Sequence, residues 1–564
     1  HPPPPPTHPA TPYPVYALKK FFFLMIRRPP RSTQRASRRQ RQMCIRDRVL
    51  RLHEMLCFMR AYPDAADLLA AVQEMLADFS RRKDLREFRA DLADSGVAGT
   101  ATHYEFYHQM ATWLAERWPE RLEIDWPGFE DESALENVLS LLALYCESPG
   151  LDDSGHSTRE WLDLMKGPGE TDAAFLVRRF DRLKMDAFCR EKIFETLAVP
   201  MVLQPADGGP ARTTAWLRSM APSFQTRPLR RGRPDLTVAL KGRAPALEPV
   251  SRARGMEILD LARSALVTRS RDLDAFAFGE PADVRLADGG GGLTVAMIGM
   301  VPERRLMFET VYGYLLLQNG VPIGYGVISA LFRSVEVAFN VFDTFRGVEA
   351  GFIFARLLKV LRGMFKARTF TLFPYQLGGE GNEEGLASGA WWFYQKLGFR
   401  PRDEELRELM ERELALMRKN PGHRTGRRVL KKLASANVYY DLGRPRRDVI
   451  GELPLGEIGT KTTQFLAHRF GSRRDRAAAV CGREAARLLG VAVPRKPAAR
   501  LVWDRWAPLV CVLPGIEQWS RAQKRGLAAV IRAKGGRRES EFTLLFDGHS
   551  ELRRAMLRLA REEE

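Results

Sequence analysis

Cysteine is scarce in this chain and never occurs in close pairs. Only 6 of the 564 residues are Cys, and no two are spaced as CxxC. Structural zinc sites and small disulfide frameworks need such pairs, so neither is expected. Apolar runs are also short, since FFFLMI and the run around Val510 to Leu513 fall well below the roughly 20 residues that cross a bilayer. We therefore expect a cytoplasmic protein without membrane contact.

Several catalytic signatures are missing as well. The glycines from Gly289 to Gly292 precede a strand pattern, whereas a phosphate-binding loop needs a helix after its glycines, so this run predicts a turn. No Ser-His-Asp or Cys-His order is legible, which leaves covalent catalysis without support. His103 and His108 are five residues apart and do not share a helix face, so no metal site is predicted.

Residues 1–48 resemble translated sequencing-adapter DNA rather than protein. The runs FFFLMIRRPPRST and QRQMCIRDR carry that resemblance, and the leading HPPPPPTHP has no core-forming pattern. The chain opens with His1 instead of Met, so we expect the true N-terminus to be missing. We expect this segment to be artefactual or disordered. A basic arm for nucleic acid is the alternative.

The positive charge is concentrated at the two ends of the chain. The formal net charge is +19, to which residues 1–48 contribute eleven Lys/Arg against one Asp. Residues 441–564 contribute 25 Lys/Arg against 15 Asp/Glu, which leaves 49–440 close to neutral. A basic C-terminal region can contact nucleic acid or another polyanion. A solvated charged surface is the alternative.

Composition and periodicity divide the remaining chain into four parts. Residues 49–205 predict a helical domain, with helical apolar spacing and two Ser/Glu capping boxes, at Ser133 and at Ser157. Residues 206–250 are rich in Pro, Gly and Arg and predict a linker, although their run RPLRRGRP could touch phosphate. Residues 251–440 mix strand and helix patterns, and residues 441–564 predict a basic helical domain. The fold class is therefore α/β, of the α+β kind.

The most informative segment runs from Asn340 to Pro401. It follows a hairpin signal at Asn319-Gly320 and predicts a strand, an Arg-Gly turn, a helix, a second strand and a helix ending in FYQKLGF. This order, and FYQKLGF above all, resembles the GNAT superfamily of N-acetyltransferases. The resemblance is confined to about residues 251–440. It implies a mixed sheet in which one strand separates from its neighbour to hold acetyl-CoA or another acyl-CoA.

The resemblance also implies the residues of a donor site. The strand from Glu336 to Thr344 would pair with the pantetheine arm, and the following turn would present backbone N–H groups to the pyrophosphate. On these grounds we expect donor contacts from a set in the strand, the turn and the later helix: Val341, Phe342, Arg346, Gly347, Val348, Ala350, Gly351 and Asn382. Asn382 is also predicted to cap a helix that begins with Glu383 and Glu384. The acceptor would be an amine, in a small molecule or a protein, that the sequence does not identify.

Glu349 departs from the family pattern, which has glycine at this position. A Cβ there hinders close backbone approach, and a carboxylate can repel an anion. Glutamate also suits the first turn of a helix, whose N-terminus favours negative charge. Two interpretations stay open, a working donor pocket and a helix-capping acid at an empty site.

Three residues are candidates for catalysis. Tyr394 matches the position at which many GNAT enzymes hold a tyrosine that protonates the leaving thiolate, with a packing tyrosine as the alternative. Glu336 and Glu309 lie on predicted strands and could remove a proton from the amine, with solvent-facing carboxylates as the alternative. The sequence therefore favours an acyl-CoA-dependent acyltransferase. The competing hypothesis is an inactive scaffold whose flanking helical regions bind protein or nucleic acid.

Overall fold

The described residues form helices, one large mixed sheet and one small sheet, so the predicted α+β class is correct. The computed structural model describes residues 38–153, 155–218, 220–230, 232–347 and 349–561. The prediction for residues 1–48 falls mostly outside these residues, as does the predicted donor contact of Val348. Helix α1 is the part of the N-terminal segment that is described, because it begins at Arg38.

The N-terminal region is mainly helical, but it also contains a small sheet that corrects the all-helical prediction. Strands β1, β2 and β3 have three residues each and pair in the order β1-β3-β2. Strands this short cannot show an alternating pattern in the sequence. The elements are α1 Arg38–Ala61, α2 Ala66–Ala77, α3 Lys83–Glu87, β1 Thr102–Tyr104, α4 His108–Arg117, β2 Leu122–Ile124, α5 Ser133–Leu142, α6 Ser148–Asp153, α7 Thr158–Met165, α8 Asp172–Arg182, α9 Ala187–Leu197 and β3 Met201–Leu203.

Of the two predicted capping boxes, one is confirmed and one is wrong. The Ser157 hydroxyl accepts from the N–H of Glu160, and the Glu160 carboxylate accepts from the N–H of Ser157. Ser133 instead lies inside its helix, and its hydroxyl donates to Asp131. The residue that precedes the helix is Glu132, which already has helical dihedral angles. Ser133 is therefore the first residue of the helix and does not occupy the N-cap position.

The central sheet has ten strands in the order β12-β13-β11-β9-β8-β7-β6-β5-β4, with β10 also paired to β8. Neighbours from β4 to β9 are antiparallel, whereas β9 and β11 are parallel. The strands are β4 Leu247–Pro249, β5 Gly279–Gly290, β6 Leu293–Met300, β7 Thr310–Gln318, β8 Val321–Leu331, β9 Ser334–Val337, β10 Asn340–Val341, β11 Thr369–Leu372, β12 Arg400–Pro401 and β13 Val438–Asp441. The helices of this region are α10 Leu236–Ala239, α11 Arg252–Val267, α12 Asp274–Ala277, α13 Ala350–Phe365, α14 Pro374–Leu377, α15 Glu383–Ser388, α16 Ala390–Lys396, α17 Glu404–Lys419 and α18 Arg427–Leu433.

The predicted hairpin between β7 and β8 is confirmed. Asn319 and Gly320 have φ of 49° and 79°, the left-handed values of a two-residue hairpin turn. The glycine run from Gly289 to Gly292 likewise turns the chain from β5 into β6. A strand and not a helix follows this run, as the sequence predicts.

Two neighbouring parallel strands separate partway along their length. Strands β9 and β10 continue in one register on β8, since Val337 faces Ile328 and Asn340 faces Tyr325. Strand β11 pairs with β9 only as far as Glu336. The strands are thus joined at one end and open at the other.

Proline explains where the second strand stops. Strand β11 ends at Leu372, and Pro374 is the first residue of α14. Proline has no N–H for a sheet ladder, and its fixed φ suits the first turn of a helix. The chain therefore turns away from β10 at the point where pairing would have continued.

The segment 206–250 packs against the central sheet, which corrects the predicted linker. Leu217, Leu236 and Leu240 are buried in the main hydrophobic core, and β4 adds a strand to the sheet edge. These apolar residues are too widely spaced to give a periodic pattern. The Pro, Gly and Arg content therefore dominated the sequence signal.

The C-terminal region is helical, as predicted, and has its own core around Trp503 and Trp506. Its helices are α19 Leu455–Phe470, α20 Ala477–Leu489, α21 Pro497–Val512, α22 Arg521–Lys534, α23 Glu539–Gly548 and α24 Ser550–Arg561. Across the described ranges, no helix combines the length and the apolar character that crossing a bilayer demands. In the same part of the chain, no three His, Cys, Asp or Glu side chains are grouped to hold a metal ion.

Candidate functional site

A cavity of 460 Å³ opens where β10 and β11 separate. The segment from Phe339 to Val341 forms one wall, and helices α14 to α16 form the other. Most of the residues predicted for the donor site and for catalysis line it: Val341, Arg346, Gly347, Ala350, Gly351, Asn382 and Tyr394. The structure thus brings together residues that span more than fifty positions of sequence.

The N-terminus of α13 points its first turn at this cavity. The first backbone N–H groups of a helix have no partner inside the helix and carry partial positive charge. Glu349 precedes the helix with φ of 48° and ψ of 9°, and its side chain makes no capping hydrogen bond. These are left-handed angles, which glycine adopts without strain. Glu349 therefore places a carboxylate side chain on a backbone that suits glycine.

A basic loop from the segment 206–250 covers the start of α13. Arg230, Gly232 and Arg233 line the cavity, and the Gly232 carbonyl lies 3.4 Å from where a Cβ on Gly351 would stand. The backbone N–H of Arg230 donates to a Glu349 carboxylate oxygen at 3.4 Å. The run RPLRRGRP signalled phosphate contact in the sequence, but nothing in the sequence indicated that it folds back here.

Arg346 is engaged by protein groups on three sides. Its Nε donates to the Val341 carbonyl at 3.0 Å, and its guanidinium pairs with Asp343 at 2.8 Å and with Glu384 at 2.5 Å. The Arg346 side chain is 42% exposed, so an incoming anion could exchange with these carboxylates.

Gln376 bridges the opening between the strands. Its side-chain oxygen accepts from the Phe339 N–H at 3.2 Å, and its Nε2 donates to the Phe339 carbonyl at 2.9 Å. The carboxamide thus occupies the backbone edge that a neighbouring strand would have used. Gln376 could not be identified from the sequence, because a glutamine in a short helix carries no distinctive pattern.

The same carboxamide also holds the candidate acid. Gln376 Nε2 donates to the Tyr394 hydroxyl at 2.7 Å, so that hydroxyl is an acceptor in this bond and keeps its own proton for another partner. Tyr394 is buried, and burial raises the pKa of its hydroxyl well above the ordinary value, while the Gln376 hydrogen bond lowers it slightly.

Asn382 shapes the cavity through the backbone. Its side-chain oxygen accepts from the Gly385 N–H at 2.9 Å, which confirms the predicted helix cap, and its Nδ2 donates to the Tyr375 carbonyl at 2.7 Å. Both ends of its carboxamide are therefore committed to protein groups.

Three predicted residues do not line the cavity. Glu336 lies in the last residue pair that still joins β9 to β11, so the opening begins beyond it. Glu309 is buried just before β7, where the Lys534 ammonium donates to its carbonyl oxygen. Phe342 packs under the buried guanidinium of Arg269, 3.5 Å from its ring centre. The predicted bases are thus not brought to Tyr394.

Two further residues meet the cavity from the other face of the sheet. Arg271, in the connection between α11 and α12, lines the cavity and donates from Nη1 to the Tyr325 hydroxyl at 2.8 Å. Asn340 also lines it and donates from Nδ2 to the same hydroxyl at 2.9 Å. Neither residue was singled out from the sequence.

No protein-family model, curated protein or solved structure matches this chain. The geometry of the cavity and the chemistry of the residues that line it are therefore what indicate a function.

Proposed function

We propose that this protein is an acyl-CoA-dependent N-acyltransferase of the GNAT kind. The observation that carries the proposal is the opening between β10 and β11, which leads from a helix N-terminus to a buried tyrosine hydroxyl. An acyl-CoA has a phosphate-bearing end and a narrow amide-bearing arm that ends in a thioester. A site for it needs an anion-binding end, a strand edge and a proton donor, in that order.

The residues present are suited to the donor. The first-turn N–H groups of α13, at Ala350 and Gly351, and the guanidinium groups of Arg230 and Arg233 would hold the phosphates. Four arginines line the cavity against two glutamates, so its charge favours an anion despite Glu349. The backbone of Phe339 offers a donor and an acceptor to the amide arm, once Gln376 gives way.

Tyr394 supplies the proton in the reaction that we propose. The amine nitrogen attacks the thioester carbonyl, the C–N bond forms, the C–S bond breaks, and the sulfur leaves with the bonding electron pair. The Tyr394 hydroxyl donates its proton to that sulfur, and the proton lost by the amine restores the hydroxyl through water. The products are an amide and the free thiol.

A predicted carboxylate base has no place in this scheme. Glu309 and Glu336 are outside the cavity, and the two carboxylates that line it contact Arg230 and Arg346. We therefore propose that the amine enters as the free base, after giving its ammonium proton to water. The location of this chemistry in the cytoplasm stays a prediction.

The test uses the full chain and its Tyr394→Phe variant. Calorimetry with acetyl-CoA should show binding to both proteins, because the hydroxyl is not needed to hold the donor. Release of free CoA thiol in the presence of amines should fall by about 10²-fold or more in the variant. Tyr439→Phe is the matched control, since Tyr439 is buried in the same sheet but does not line the cavity. Absence of binding at millimolar acetyl-CoA would refute the proposal.

A second candidate function concerns the basic C-terminal region. On α20 and the turn before it, Arg476, Arg483 and Arg487 are exposed at helical spacing, opposite the buried face of the helix. Within the described part of the chain, none of the three forms an ion pair. We propose that this stripe binds a polyanion. Exchange of all three for Glu should abolish a salt-sensitive shift of the full chain with duplex DNA, and an unchanged shift would contradict it.

A further inference from the structure

The two faces of the opening differ in their chemistry. Side chains alternate along a strand, so Phe339 and Asn340 point to opposite faces of the sheet. The Phe339 ring packs against Phe354 of α13, with ring centres 4.9 Å apart. Asn340 instead reaches the Tyr325 hydroxyl, which Arg271 also contacts. The donor's helix N-terminus and Arg271 therefore approach the opening from opposite sides.

Arg271 forms no ion pair with any carboxylate of the described residues, although Glu384 and Asp343 lie near enough to favour its charged form. It is half-buried, and its hydrogen bond is to a phenol rather than to a carboxylate. Glu384 and Asp343 make their close ion pairs with Arg346, so neither carboxylate occupies the N–H groups of Arg271. A partly desolvated guanidinium in a cavity wall is a strong site for a planar anion, because its N–H groups can bind both oxygens of a carboxylate.

We infer that the acyl acceptor is a small amine that also bears a carboxylate, such as a free amino acid, and that Arg271 binds the carboxylate. This inference depends on the proposed acyltransfer for the role of the amine, but not for the binding of the carboxylate. Asn340 stands beside Arg271 with its carboxamide held on Tyr325, so it can contact the same carboxylate. An acceptor held in this way would enter from the face opposite the donor phosphates.

The experiment distinguishes carboxylate binding at Arg271 from acetyl-CoA binding near the start of α13. Ligand-observed saturation-transfer NMR on the full chain would compare pooled free amino acids with the corresponding amino-acid amides, without CoA. We expect signals from one or more free acids and none from their amides. Arg271→Met should lose these signals, and Arg271→Lys should retain part of them.

Arg233→Met is the matched control, since Arg233 lines the same cavity near α13. It should weaken acetyl-CoA binding and leave the amino-acid signals unchanged, while Arg271→Met should do the reverse. Equal binding of acids and amides, no amino-acid signal from the wild type, or signals that survive in Arg271→Met would each overturn the inference. A wild type that binds free acids through Arg271 but no acetyl-CoA would instead refute the proposed acyltransfer alone.

Discussion

At the scale of single residues, Glu349 combines a left-handed backbone with a side chain that lines the cavity. Its left-handed backbone costs a residue with a Cβ roughly 1 kcal/mol or more, and its carboxylate stands next to a helix N-terminus that is proposed to meet phosphate. The helix N-terminus offsets part of the carboxylate's cost, because negative charge is favoured there. The residue thus stabilises an empty site more than a filled one.

Replacing Glu349 with glycine should therefore have two effects. Removing the strain should raise the free energy of unfolding by up to about 1 kcal/mol, measured by urea denaturation. Removing the carboxylate should also tighten acetyl-CoA binding in calorimetry. Lys366→Gly is the control, because Lys366 ends the same helix at φ of 51° and lies away from the cavity. It should gain stability without gaining affinity, and an affinity gain in both variants would contradict the explanation.

Residue-level predictions succeeded where a local pattern encodes a local contact. The Asn319-Gly320 turn and the Asn382 cap were readable because turn and cap chemistry act over two or three residues. Arg271 and Gln376 were not readable, because their roles depend on neighbours brought in by the sheet. The bases proposed at Glu309 and Glu336 failed to reach the cavity for the same reason.

At the scale of elements, the strand pair β9–β11 creates the site by ending early. The order of strands and helices was predictable from alternation and spacing, while the exact point of separation was not. That point depends on Pro374, which starts a helix, and on Gln376, which then satisfies the exposed strand edge. A proline after a strand has many outcomes, so the sequence alone could not identify this one.

Gln376 and the donor should compete for the same backbone groups of Phe339. In Gln376→Ala, the buried edge loses its partners, so the free energy of unfolding should fall by about 1–3 kcal/mol. Binding of acetyl-CoA should nevertheless tighten by roughly fivefold, which corresponds to about 1 kcal/mol. The two opposite changes would be read by urea denaturation and by calorimetry.

Gln318→Ala provides the comparison for that variant. Gln318 Nε2 donates to the Gly291 carbonyl at 2.7 Å, at the hairpin end of β7 and outside the cavity. Its loss should reduce stability without changing acetyl-CoA affinity. Weaker donor binding in Gln376→Ala would show that Gln376 supports the donor rather than competing with it.

At the scale of the whole molecule, buried charges join the sheet to the C-terminal helices. Lys534 of α22 donates to the Glu309 carbonyl at 2.8 Å and to the Glu539 carboxylate at 2.5 Å. Burial raises the pKa of the Glu309 carboxyl to about 7 and that of Asp283 to about 6. This interface joins elements far apart in the chain, so composition revealed the basic helices but not what they pack against.

These raised pKa values give stability a definite dependence on pH. A folded-state pKa above the unfolded value means that the folded protein binds the extra proton, so the stabilisation is present at low pH and is lost as pH rises through the folded pKa. The ordinary pKa of a glutamate such as Glu309 is 4.5, and its pKa in the folded protein is about 7. The free energy of unfolding should therefore fall as the pH rises from 4.5 to about 7.

Glu309→Gln should remove the Glu309 share of that fall, because an amide does not titrate. Urea denaturation at pH 5 and pH 7.5 should show a smaller loss of stability for the variant than for the wild type. Glu405→Gln is the control, since the Glu405 side chain is 78% exposed, and it should follow the wild type. Parallel pH curves for Glu309→Gln and the wild type would contradict the buried-acid explanation.

The position of residues 230, 232 and 233 over the start of α13 has a practical consequence for the design of shorter fragments of the protein. A fragment that starts at residue 251, where helix and strand signals begin, would lack two of the four cavity arginines and the edge strand β4. Such a truncation would expose the first turn of α13 to solvent on one side. Recombinant fragments intended to bind acetyl-CoA should therefore begin upstream of Leu217, even though the composition of residues 206–250 is that of a linker.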